Sequence, residues 1–205
     1  MKTLQAHKAD VVVVGGGGAA LRAALEARRA GAQVLVVTKG RLGATGATAF
    51  GVASLAGYSA ADGVEDPLDT PDVHVADVLF RGAGCADPAL VRILAEEAPA
   101  SVRTLEEWGV PFITGAGGKV LVAMGDCASR PRNRKIRGHG RPIVLALKEL
   151  CAAAGVAVWE NAAVLDLLTA GGRCHGVLAT NAEGALSAVS ASATILATGG
   201  AGQLF

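Results

Sequence analysis

A 205-residue chain with a net charge of +1 and 18% charged residues has no global electrostatic bias toward nucleic acid or an anionic membrane. Hydrophobic residues make up 51% of it but aromatics only 3%, so Ala, Val, Leu and Gly must form the core. That mixture suits helices packed closely on a buried parallel sheet and disfavours a sandwich or barrel.

The length fits one domain, or one domain with part of a second. No apolar run approaches the roughly 20 residues of a bilayer span. Residues 1–10 lack the apolar stretch of a secretory signal, and the expectation is a cytoplasmic chain. Cys85, Cys127, Cys151 and Cys174 are scattered without a C-x-x-C pair, so neither a zinc nor an iron–sulfur site is expected.

In chain order, Asp10 and four valines predict a buried parallel strand over 10–14. Residues 19–30 are rich in Ala and Leu and predict a helix that Gly31 terminates. A second strand follows over 34–37, completing a βαβ unit. Residues 40–63 are small and weakly charged; 47–53 are too apolar for an ordinary linker and suggest backbone packed against a ligand. Residues 62–72 are acidic, contain Pro67 and Pro71, and read as a surface loop. Helices are expected over 72–82 and 88–108, the second broken or kinked near Ala98 by Pro99. A turn at 115–118 leads to a strand at 119–124.

Arg130, Arg132, Arg134, Lys135 and Arg137 form a basic run. It reads either as a solvated loop or as a patch attracting an anionic cofactor or substrate. No aromatics interleave with it, which disfavours a nucleic-acid partner. A helix over 142–154 and a strand over 156–159 come next. Small antiparallel strands over 164–169, 173–180 and 186–191 are joined by the turns Gly171-Gly172 and Glu183-Gly184. The final strand, 193–197, runs into Thr198-Gly199-Gly200.

Gly15-x-Gly17-x-x-Ala20 stands between the first strand and the first helix, where a dinucleotide fingerprint belongs. Gly15 permits the tight turn, Gly17 lets backbone approach a pyrophosphate, and Ala20 lets helix pack on strand. The helix N-terminus then offers free N–H groups to an anion. A simple glycine-rich turn is the competing reading. Thr38-Lys39 replaces the acidic residue that an NAD-binding unit carries at the end of its second strand; a lysine there leaves NADP open.

Read together, several segments resemble the succinate dehydrogenase/fumarate reductase flavoprotein family, which also includes L-aspartate oxidase. They are the opening from Asp10 to Ala24, Thr38-Lys39, Leu105-Glu-Glu-Trp-Gly-Val-Pro-Phe112, Gly138-His-Gly-Arg-Pro-Ile143 and Thr194-Ile-Leu-Ala-Thr-Gly-Gly-Ala-Gly202. The resemblance implies an α/β fold: a Rossmann-like FAD-binding domain of the two-dinucleotide-binding type. Its parallel sheet would have flanking helices and a small antiparallel insertion.

It also implies bound FAD, with the pyrophosphate at Gly15, Gly16, Gly17, Gly18, Ala19 and Ala20 and the adenosine near Thr38, Lys39 and Gly40. Thr45, Gly46, Thr48 and Gly51 would run along the flavin end, Ala163 would approach the adenine, and Ala197, Thr198 and Gly199 would line the cofactor again. Residues 41–73 contain no His, so the histidyl–flavin bond of some members is not expected there and FAD would be non-covalent. His139, between two glycines, is the histidine expected to face a site; His7 reads as part of a tail, His74 as helix surface and His175 as a turn residue.

By the same resemblance, residues 1–205 are the N-terminal portion of the FAD-binding domain, truncated ahead of a capping domain and a C-terminal part that would carry the catalytic residues. The implied activity is FAD-dependent oxidoreduction, with hydride transfer between flavin and a dicarboxylate or amino-acid substrate. A respiratory relative would bring with it a peripheral place at the inner membrane and an iron–sulfur subunit. The alternatives are a non-catalytic FAD-binding fragment and an NAD(P)-binding Rossmann reductase.

Overall fold

The computed structural model describes residues 4–50, 57–125 and 128–201; Gly51 and Cys127 lie outside them. Along the chain come β1 (Gln5–Val14), α1 (Gly18–Arg29), β2 (Val34–Val37), α2 (Ala47–Phe50), β3 (Gly57–Ser59), α3 (Pro71–Gly82) and α4 (Pro88–Glu107). Then follow β4 (Val122–Ala123), β5 (Asn133–Lys135), α5 (Arg141–Ala153), β6 (Ala157–Trp159), β7 (Ala163–Ala170), β8 (Arg173–Thr180) and β9 (Leu186–Leu196). They fall into two compact units, Met1–Gly51 with Ile143–Phe205, and Val52–Pro142.

The first unit is built on a six-stranded sheet in the order β6-β2-β1-β9-β8-β7. β1 runs parallel to β2, with Val11 opposite Val34, and parallel to β9, with Val14 opposite Leu196. β6 extends the parallel part, and β7 and β8 add antiparallel strands beyond β9. All four residues of β2 are buried, as expected of a parallel strand covered on both faces. Val12, Val14, Leu35 and Val37 pack with Val177, Ala179 and Val189 of the antiparallel strands. α1 buries Ala20, Leu21, Ala24 and Leu25, and α5 is tied to it where the Cys151 thiol donates to the Leu21 carbonyl at 3.4 Å. Burial pushes that thiol's pKa up.

Two boundaries differ from the sequence-based expectation. β9 is one continuous strand rather than separate segments at 186–191 and 193–197, and β1 begins at Gln5 rather than Asp10. The cause is mutual pairing: Gln5 stands opposite Ser187, and the register continues to Val14. The antiparallel part therefore grows out of the parallel sheet through a shared strand. His7 is accordingly a strand residue, its ring 4.6 Å from that of Trp159 in an edge-on contact, and not part of a tail.

The second unit contains α3, α4 and a three-stranded antiparallel sheet in the order β3-β5-β4. Thr70 caps α3 by accepting from the Val73 amide, and Asp87 caps α4 by accepting from Ala89 and Leu90; both helices begin with Pro at the first position, where its missing N–H is not needed. α4 runs unbroken through Pro99, contrary to the break expected near Ala98. An interior proline costs about 3 kcal/mol, and the buried stripe of Val91, Ala95, Ala98, Val102 and Leu105 offsets it. Only Val122 and Ala123 of the expected 119–124 strand pair with β5.

Candidate functional site

The glycine segment after β1 lies at the C-terminal ends of the parallel strands, the position where open α/β sheets bind ligands. Gly15 has φ +129°, and its amide donates to the Val37 carbonyl at 2.9 Å. A Cβ on Gly15 would stand 2.2 Å from the Ala197 carbonyl oxygen, so only glycine fits between the ends of β1 and β9. Ala197 is held there by its own amide, which donates to the Val14 carbonyl at 2.9 Å. The two glycine-containing motifs, 182 residues apart in the chain by their first members (Gly15 and Ala197), are thus in direct contact.

The neighbouring predicted residues close around this turn. Thr38 is buried, and its Oγ1 lies 2.6 Å from the point a Cβ on Gly16 would take. Its amide donates to the Trp159 carbonyl at 2.9 Å, and its carbonyl accepts from the Ala162 amide at 3.0 Å, which brings the start of β7 and half-buried Ala163 alongside. Thr48 Oγ1 accepts from the Gly18 amide at 3.1 Å and lies 3.3 Å from a Cβ position on Gly17. Thr45 Oγ1 stands 2.5 Å from a Cβ position on Gly40. Lys39, Gly46, Thr198 and Gly199 are exposed. Leu42, buried with Cδ2 2.8 Å from the Cβ position of Gly16, is a wall of the turn that sequence reading missed; an isolated leucine in a loop gives no periodic signal.

The turn fits a pyrophosphate. The first amide to join the α1 ladder is that of Leu21, donating to the Gly17 carbonyl at 3.0 Å, so the Ala19 and Ala20 amides lie outside that ladder. The first turn of α1 holds no acidic residue, leaving the positive end of the helix dipole for an anion. Ala20 is fully buried, which keeps the helix close on the strand.

In the basic run of the second unit, Arg130, Arg132 and Arg134 are taken up by acids and so are neither freely solvated nor open to an anion, whereas Arg137 is exposed. Arg132 is 2% exposed and donates to both oxygens of Asp69, and to Asp77 at 2.6 Å. Arg134 donates to Asp62 and to the Ala60 carbonyl, and Arg130 pairs with Asp66 at 2.6 Å. The Arg130 bond holds the Asp66 carboxyl below its usual range. Burial pushes Asp77 up, but hydrogen bonds from the Ser129 amide and Arg132 outweigh it and leave it lowered. His74, expected on the surface, is buried beside this cluster, and burial followed by the Arg132 charge lowers its pKa. His139 is exposed with φ +62°, and His175 is exposed.

Among the described residues, no group of three or more His, Cys, Asp or Glu is placed to hold a metal ion, and no helix is long and apolar enough to cross a membrane.

Comparison with known proteins agrees with this fold. The chain is 43% identical to an L-aspartate oxidase of Streptomyces coelicolor, covering 96% of this chain and 34% of that protein. It is 35% identical to a fumarate reductase (CoM/CoB) chain of Methanothermobacter marburgensis, over 97% of this chain and 36% of that one. It therefore spans about a third of the length of these curated relatives. Among solved structures, Mycobacterium smegmatis Sdh1 in complex with UQ1 superposes with a TM-score of 0.90 at 29% identity, covering 98% of this chain and 35% of that one. The FrdA chain of E. coli quinol fumarate reductase gives 0.88 at 27% identity, with 98% and 34% covered. The family model described as "FAD binding domain" matches residues 10–205, and the chain belongs to that family, with the flavoproteins of succinate dehydrogenase, fumarate reductase and L-aspartate oxidase as its relatives.

Proposed function

We propose that this chain holds FAD non-covalently at the glycine turn of its first unit, as part of an FAD-dependent oxidoreductase. The observation that carries the reading is the contact of Gly15 with Ala197 beside an α1 N-terminus free of acidic side chains. The amides of Gly18, Ala19 and Ala20 would donate to the pyrophosphate, and the Thr48 hydroxyl would move from the Gly18 amide to a phosphate oxygen. Thr38, Lys39, Gly40 and Ala163 would flank the adenosine, with Thr45, Gly46 and Gly51 toward the flavin and Thr198 and Gly199 along it. The absence of His from residues 41–73 supports a non-covalent mode.

Bound FAD supplies hydride chemistry, while the protein positions it and excludes competing reactions. In the whole flavoprotein we assign that chemistry to a dicarboxylate or an amino acid, because the relatives named above are an L-aspartate oxidase and a fumarate reductase. The chain spans about a third of their length, so its own contribution is cofactor binding, and the groups that bind substrate and deliver the proton are assigned to the rest of the protein. Flavin-loaded protein should be denatured and filtered. Yellow colour in the filtrate is expected; colour retained with the polypeptide contradicts the non-covalent mode, and tighter binding of NADPH than of FAD contradicts the cofactor assignment.

A further inference from the structure

We infer that Glu160 is a positioning residue for the cofactor site, acting through Leu42 on the glycine turn; this deepens the FAD-binding reading and rests on it. Glu160 directly follows β6, and its Oε1 accepts from the Leu42 amide at 2.8 Å. The Lys148 ammonium on α5 lies 3.6 Å from the same oxygen. Leu42 is the point at which the segment after β2 bears on the turn, its Cδ2 2.8 Å from the Cβ position of Gly16. The next residue, Gly43, has φ +75°, and a Cβ there would stand 2.9 Å from Cδ2 of Leu145 on α5. The segment is thus clamped on both sides at its base, and farther along it Thr48 covers the Gly18 amide at 3.1 Å.

The carboxylate therefore fixes backbone that nothing periodic fixes. The only regular structure between β2 and the described limit at Phe50 is the one-turn helix α2, too short to hold its own place. An anionic acceptor on an amide is stronger than a neutral one, and the nearby ammonium keeps it oriented. Without it, Leu42 can leave Gly16 and Thr48 loses its register with the α1 N-terminus. The pyrophosphate turn then loses a wall while the sheet and α1, each buried independently, remain.

Three variants separate this from a general stabilising role. Glu160→Ala removes the acceptor. Glu160→Asp keeps the charge beside Lys148 but is one methylene short of the Leu42 amide. Glu160→Gln keeps the reach. Amide hydrogen exchange at Leu42 and titrations with FAD and ADP, which share the pyrophosphate and adenosine, are read together. In the Ala and Asp variants, Leu42 should exchange faster and both dissociation constants should rise together, by about tenfold for a lost charge-assisted bond. The Gln variant, with a neutral acceptor at the same reach, should recover part of both, and thermal midpoints should move little. Unchanged Leu42 exchange overturns the assignment, as does faster exchange with unchanged affinities, or an Asp variant that behaves like the parent. A parent protein that binds neither FAD nor ADP contradicts instead the cofactor reading beneath it; Leu42 exchange still reports whether Glu160 holds the segment.

Discussion

The glycine turn of the first unit and the arginine run of the second are both conspicuous in the sequence, and they differ in how far their meaning is local. The turn's chemistry is set by backbone: Gly15 at φ +129° and amides at a helix start. Residues within one βαβ unit determine most of it. The arginines take their role from acids that lie 64, 63 and 72 residues away for Arg130, Arg132 and Arg134 respectively. A fingerprint made of backbone requirements is legible where it stands, whereas an ion cluster is legible only once the fold has brought its partners to it.

Breaking the arginine cluster should give the largest stability change. Arg132→Ala strands Asp69 and Asp77, both largely buried, and should cost about 3–5 kcal/mol in urea unfolding, as for other buried pairs that lose one member. A loss within 1 kcal/mol would mean that the acids find water or other partners instead. Gly15→Ala comes next: a Cβ 2.2 Å from the Ala197 oxygen and a left-handed backbone should cost about 1–3 kcal/mol and abolish flavin retention. A variant of parental stability that keeps FAD would show that β9 can move away from the turn.

Acid should act mainly on the second unit. His74 has a pKa below its ordinary 6.5 when folded, so the unfolded chain binds its proton first. Its contribution is present above that value and is lost as pH falls from 6.5 through the folded value. Asp77 and Asp66, both lowered from 3.8, contribute above that value and lose their contribution in turn as pH falls below it. Replacing His74 with Phe should flatten the first fall and spare the second, as read from unfolding midpoints across pH. An unchanged profile would place the sensitive group elsewhere. The smallest effect belongs to Arg92, which pairs with Asp72 on the surface with side chains 43% and 81% exposed. Its replacement by Ala should leave the melting curve where it was, and a clear downward shift would show that this pair is coupled to the rest of α3 and α4.

The same distinction governs how much of the fold the sequence reveals. The βαβ unit and the two helices near 72–82 and 88–108 follow from local pattern, while the return of 194–200 to the turn is implied by the family resemblance. The early start of β1 does not follow from local pattern: Gln5-Ala-His-Lys-Ala9 lacks a regular alternation and becomes a strand only because Ser187–Ala191 lies beside it. The passage of α4 through Pro99 likewise depends on tertiary burial of Ala95 and Ala98, which local propensity cannot register. At the site, Gly15, Gly17 and Ala20 are readable from their place between the first strand and the first helix, whereas Thr38 and Thr48 are reached through the family resemblance. Leu42 and Glu160, 118 residues apart, are joined only by the fold.

The central claim is that FAD is held at the turn between β1 and α1. Fluorescence titration of FAD into the parent protein and into Gly17→Val tests it most directly, since a valine there places a branched side chain where the pyrophosphate must approach. Affinity should fall about a hundredfold, roughly 2.8 kcal/mol, with helix content unchanged by circular dichroism. A Gly17→Val protein that binds FAD as tightly as the parent would contradict the account.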